Sequence, residues 1–197
     1  MAEVLALRGG SALSPFRIQK LLAALSATRS SHAITGIGAQ FWHFVEIDGP
    51  LDATGRATLD SLLTYGPADR PAIAGDASLI VVPRFGTISP WSSKATDIAR
   101  NCNLDSVLRI ERGVAFHVST RAGAPLGDDD RSALLPLIHD RMTETVLFDV
   151  DEANRLFEHV PPRPLSTIPL RARGRAALED ANAELGLALS GDEIAYL

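Results

Sequence analysis

The sequence predicts an α+β chain built from a tandem repeat and closed by a mostly helical segment. Three observations carry this. Short apolar runs of strand length alternate with stretches whose apolar residues recur at the helical period. The order of these elements then recurs, with matching residues at an offset of about 75. After residue 150 the character changes to proline-rich and then Ala/Leu/Glu-rich chain.

In the first copy, residues 4–7 read as a strand. Ser14 suits an N-cap and Pro15 the first helical position, and Ile18, Leu21, Leu22 and Leu25 form one apolar helix face. Residues 34–47 are extended in character and suit a pair of strands, with Gly36 and Gly38 near a turn or bulge. Pro50 and Leu51 lead into a helix carrying Leu59, Leu62 and Leu63, and no obvious last strand follows.

The second copy repeats this order. Residues 79–82 read as a strand. Ile88-Ser89-Pro90-Trp91 matches Leu13-Ser14-Pro15-Phe16, and the next helix carries Ala95, Ile98, Ala99 and Cys102 on one face. Residues 107–111 and 114–118 are expected as two strands joined at Arg112-Gly113. Pro125-Leu126 matches Pro50-Leu51, and Arg131, Leu134 and Leu137 match Arg56, Leu59 and Leu62. A last strand is expected at residues 146–150. The complete order is that of a ferredoxin-like β-α-β-β-α-β unit, so the fold expected is two such units side by side, related by a local two-fold. Residues 1–150 form this tandem domain and residues 151–197 a linker region. In the linker, residues 151–158 suit a short helix and the prolines of 160–170 an extended stretch. Residues 175–189 read as a helix, and Ser190-Gly191-Asp192-Glu193 is a capping box opening another. That helix has hardly begun at Leu197, so the sequence reads as a fragment of a longer protein.

Composition narrows the function. The formal net charge is −5 and there is no basic run, which argues against a nucleic-acid partner. No apolar run has the length of a membrane span, and the N-terminus lacks a signal-peptide pattern. The single cysteine, Cys102, excludes an internal disulfide and fits a reducing cytoplasm.

Few residues suggest chemistry. Cys102 with His117 or His139 as base would make a thiol nucleophile, but a small buried hydrophobe on a helix face is the better reading, and no nucleophile elbow surrounds it. The histidines lack metal-ligand spacing, and His43 and His117 occupy similar strand positions, which fits a structural role in the repeat. Asp128, Asp129 and Asp130 sit where acids favour a helix start. No phosphate loop or complete dinucleotide fingerprint occurs. No catalytic residue, metal site or bound cofactor is therefore expected in this chain. The one candidate binding site is the turn and helix start formed by Arg84, Ser92, Ser93 and Lys94, where free N–H groups, hydroxyls and cations favour an anion. The alternative is a plain capped helix meeting solvent or a neighbouring domain, and since caps are common and anion sites few, it is weighed ahead of direct binding.

The strings Leu13-Ser14-Pro15-Phe16-Arg17-Ile18, Leu63-Thr64-Tyr65-Gly66-Pro67, the stretch 83–102, Arg109-Ile110-Glu111-Arg112-Gly113, His139-Asp140-Arg141-Met142-Thr143-Glu144-Thr145 and the stretch 181–189 resemble the large single-chain phosphoribosylformylglycinamidine synthases. The resemblance departs at Arg100, where histidine is expected, and at Asn103, where glycine is expected. It implies an N-terminal domain similar to a fused dimer of the small subunit of multi-subunit forms, then a linker. An ATP-binding synthetase and a glutaminase are implied as partner domains, with ATP and magnesium bound in the synthetase. The reaction implied converts formylglycinamide ribonucleotide, ATP and glutamine to formylglycinamidine ribonucleotide, ADP, phosphate and glutamate. On this reading the chain is a structural, channel-shaping and substrate-site-shaping part that is inactive alone. The competing readings are a stand-alone ligand- or partner-binding module of tandem ferredoxin-like units, and a small Cys/His enzyme.

Overall fold

The computed structural model describes residues 3–27, 34–66, 78–121, 123, 126–159, 161 and 164–197. Two compact units divide at residue 160, Met1–His159 and Val160–Leu197.

The first unit is a five-stranded antiparallel sheet, β1 (Glu3–Ser11), β2 (Ile34–Ile47), β3 (Leu79–Pro83), β4 (Val107–Thr120) and β5 (Glu144–Leu147), in the order β1-β2-β4-β3-β5. Four helices intervene: α1 (Pro15–Ser26), α2 (Ala53–Leu63), α3 (Pro90–Asn101) and α4 (Asp128–Ile138). The architecture is mixed α+β and consistent with ferredoxin-like β-α-β repeats and a helical C-terminal part. The two copies meet where β2 pairs with β4.

One expectation about the repeat needs correction. Neither copy has a central hairpin. Residues 34–47 run as one strand of 14 residues, and so do residues 107–120. Gly113 marks a close approach rather than a turn: a Cβ there would lie 2.9 Å from the Val81 carbonyl oxygen and 3.3 Å from the Phe44 ring. The register of the repeat holds at both helix pairs, where Pro15–Ser26 matches Pro90–Asn101 and Ala53–Leu63 matches Asp128–Ile138 at the offset of 75, while the long strand of the second copy starts two residues earlier than that offset gives, after the shorter stretch 102–106. The match at Pro125 and any counterpart of β5 in residues 67–77 fall outside the described residues.

Each long strand serves both helix pairs. Alternation along β2 places Ile37, Ala39, Phe41, His43, Val45 and Ile47 on one face. Leu21 and Leu25 of α1 and Leu134 of α4 cluster with Ile37, Ala39 and Phe116. Leu59 and Leu63 of α2 and Ala99 of α3 cluster with Val45, Ile47 and Ile110. On the opposite face, Trp42, Phe44, Ile80, Val82 and Leu147 are covered by Ala153 and Leu156 of a 3₁₀ helix, Val150–Phe157. A strand buried on both faces must be long and apolar, which is why the sequence resembled two strands. β5 ends before Val150, which opens the 3₁₀ helix where the expected last strand would still be running.

The caps are as expected at Ser14 and Ser89, each accepting a bond from the backbone N–H three residues on, with proline at the first helical position. α3 closes through Cys102 onto Asn103, whose φ of 59° is the left-handed conformation that favours glycine. This accounts for the glycine that the family resemblance leads one to expect there.

The second unit, Val160–Leu197, contains α5 (Leu170–Arg173), α6 (Arg175–Leu185) and α7 (Gly191–Tyr196). α6 stops four residues earlier than its composition predicts, because Gly186 takes the left-handed C-cap conformation at φ 64°. Ser190 and Glu193 form the expected capping box on α7.

Candidate functional site

The turn before α3 is held at several points. The Arg84 N–H donates to the Thr143 carbonyl at 2.9 Å, and the Arg84 carbonyl accepts from the Thr87 hydroxyl at 2.6 Å. The Ser89 hydroxyl oxygen accepts from the Ser92 N–H at 3.0 Å and donates its proton to Glu111 Oε2 at 2.8 Å. The Ser89 N–H donates to Glu111 Oε1 at 3.2 Å. Arg109 completes the network. It donates to the Glu111 carboxylate, to the Thr87 carbonyl at 2.8 Å and to the Leu156 carbonyl at 3.1 Å. Glu111 is fully buried. The anion that a helix start favours is thus supplied from inside the chain, by a carboxylate whose charge is matched by Arg109.

This arrangement decides where the four expected site residues stand. Ser92, Thr96 and Ala99 form the buried face of α3, so Ser92 points into the protein, where its hydroxyl has no hydrogen-bond partner among the described residues. Ser93, Lys94 and Arg84 are exposed. Ser92 therefore does not face solvent as the other three do. Beside the turn runs a groove of about 380 Å³ lined by Arg84, Thr87, Ile88, Ser89, Met142 and Glu144, among others. Ile88 and Met142 present apolar side chains there, 63% and 79% exposed.

A second constellation lies where β2 meets β4, and sequence reading missed it. His43 is fully buried and pairs directly across the sheet with Arg112. His43 Nε2 is 2.7 Å from the Tyr65 hydroxyl, and Arg112 donates to the same hydroxyl at 3.2 Å. A guanidinium only donates, so the Tyr65 oxygen accepts from Arg112, and the imidazole tautomer sets the direction of the bond between His43 Nε2 and the same hydroxyl. His43 Nδ1 is buried without a hydrogen-bond partner among the described residues. Burial, reinforced by the Arg112 charge, holds the His43 pKa down to about 4, so the ring is neutral at pH 7. The ring lies against the backbone of Gly9, where a Cβ would come within 2.6 Å of His43 Cε1. The Arg112 guanidinium lies 4.4 Å from the Phe41 ring centroid and 4.7 Å from that of Trp91. The expected turn at Arg112-Gly113 had hidden this set. The alternation of Phe41, His43 and Val45 was the one available signal, since it places an imidazole on a buried face.

The remaining candidates do not assemble. Cys102 caps the C-terminus of α3 and is half-buried. His139 Nδ1 lies 2.7 Å from the Leu135 carbonyl. His43 and His117 do not occupy similar places, because the pairings His43–Arg112 and Gly38–His117 put them on opposite faces of the sheet. Asp128, Asp129 and Asp130 open α4 behind Gly127, which offers no side-chain cap, so the helix dipole accounts for them. Among the described residues no three His, Cys, Asp or Glu side chains gather to hold a metal ion, and no helix is long and apolar enough to cross a membrane.

A family model described as formylglycinamide ribonucleotide amidotransferase N-terminal matches residues 40–157, well over half of the chain. The match runs from the middle of β2 to the end of the 3₁₀ helix and takes in His43, Tyr65, the α3 turn, the Glu111–Arg109 pair and Arg112. The chain therefore belongs to the formylglycinamide ribonucleotide amidotransferase N-terminal family and is an N-terminal part of that synthase of purine biosynthesis.

Proposed function

We propose that this domain serves an ATP-dependent ligase without catalysing a step itself. In that reaction formylglycinamide ribonucleotide, ATP and glutamine yield formylglycinamidine ribonucleotide, ADP, phosphate and glutamate. The domain shapes the substrate site and the ammonia path of a synthetase and a glutaminase that carry the chemistry. ATP and magnesium bind in the synthetase, and the assembly works in the cytoplasm without a nucleic-acid or membrane partner. The observation that carries this reading is the α3 turn. A buried carboxylate and Arg109 hold its backbone rigid from within, while Arg84, Ser93 and Lys94 remain exposed and Arg84 lines an apolar groove. Such a turn suits a fixed wall that meets the phosphate end of the ribonucleotide, with Lys94 and Arg84 supplying charge and Ser93 a hydroxyl. Ser92 acts from behind as packing.

The test belongs in the intact enzyme. Lys94→Ala and Ser93→Ala are expected to raise the ribonucleotide KM while glutaminase turnover is unchanged. An unchanged KM with a lowered Tm would overturn the role. The 197-residue chain itself should turn over neither glutamine nor ATP. Glutamine hydrolysis that disappears with Cys102→Ala would show a nucleophile where this reading has none.

A further inference from the structure

No carboxylate stands within ion-pair distance of Arg112 among the described residues, and unlike exposed Arg84 it is held in place by a ring on either side and a hydroxyl. Its contacts are the Tyr65 hydroxyl and the faces of Phe41 and Trp91. The guanidinium is a rigid fork of several N–H donors, of which Tyr65 engages one. Two rings fix its plane, and behind it His43 is buried, neutral and locked between Tyr65 and the Gly9 backbone. The group is only half-buried, so its remaining donors are not sealed in the core. Arginine, tryptophan and tyrosine gathered on a rigid base are the composition of an interface hot spot.

The geometry points to a docking spot at which a carboxylate side chain on another part of the amidotransferase pairs with Arg112 between Phe41 and Trp91. A single guanidinium balances a single carboxylate and matches its planar fork. A phosphate dianion would need a second cation, and none is in contact with this cluster among the described residues. The spot uses none of the residues assigned to the ribonucleotide, and its test reads a bond rather than turnover. The two readings therefore fail separately.

Arg112→Lys in the intact enzyme places an amine where the guanidinium was. Treatment with a water-soluble carbodiimide then joins that amine to any carboxylate in direct contact. Mass spectrometry of the digest is expected to show an amide from position 112 to an Asp or Glu outside residues 1–159. An amide confined to residues 1–159, no amide at all, or an amide abolished by millimolar inorganic phosphate would each overturn the proposal.

Discussion

The starts of α1 and α3 share a local code and differ in what lies beneath them. Ser14 and Ser89 both cap, and Pro15 and Pro90 both follow. Among the described residues the Ser14 hydroxyl makes only its cap bond, at 3.3 Å from the Arg17 N–H, and Phe16 is 73% exposed. Ser89 also donates to buried Glu111, and Trp91 lies over Arg112 with its ring centroid 5.7 Å from that of His43. The same four-residue signal thus produces a self-contained cap in one copy and a junction in the other. The difference comes from the strands. β4 offers Arg109, Glu111 and Arg112 close to its own copy's helix start, and among the described residues nothing comparable meets Ser14.

The largest expected effect breaks this junction. Glu111→Ala strands Arg109 and removes two bonds from Ser89, and should cost about 3–5 kcal/mol in urea unfolding. Ser14→Ala should cost about 1 kcal/mol. Equal costs would mean that the two helix starts are equivalent after all.

Next comes pH. His43 has a folded pKa of about 4, below its unfolded value near 6.5, so the unfolded chain binds more protons between these values and stability rises with pH there. The His43 contribution is complete above pH 6.5 and is lost as pH falls towards 4, by on the order of 3 kcal/mol. His43→Gln should flatten this part of the stability–pH curve. A curve of unchanged slope would show that the titration lies elsewhere.

Trp91→Ala and Phe16→Ala sharpen the contrast at matched positions. The first should cost about 2 kcal/mol, less than a fully buried tryptophan because its ring is half-exposed, and the second no more than about 0.5 kcal/mol. The last effect is a gain. Asn103→Gly relieves a left-handed residue at the end of α3 and should raise stability by up to about 1 kcal/mol in the same unfolding assay.

Much of this molecule is legible in the sequence because the relevant signals are local. Helix starts depend on a cap and a proline within four residues, and Ser14, Ser89 and Ser190 all behave as their neighbours predict. Apolar spacing identifies α1, α2 and α3 for the same reason: a helix face is set by 3.6-residue periodicity along one segment. The left-handed turn at Gly186 was less legible, since an Ala/Leu/Glu-rich stretch has high helix propensity on both sides of it.

By itself, then, the sequence determined the α+β class, the tandem order of elements, the caps, and the strings that resemble the amidotransferase family. Only the tertiary structure decided that the central strands run unbroken, that Ser92 turns inward while Ser93 and Lys94 face out, and that Glu111 supplies the anion at α3. It also brought His43, Tyr65 and Arg112 together, with Tyr65 22 residues from His43 and 47 from Arg112. The physical reason is that pairing between strands is non-local. A glycine inside a strand and a glycine in a turn look alike along the chain, and the Val81 carbonyl that requires Gly113 is 32 residues away. Which buried charge meets which helix end depends on strand register, and register is set by the packing of both sheet faces at once.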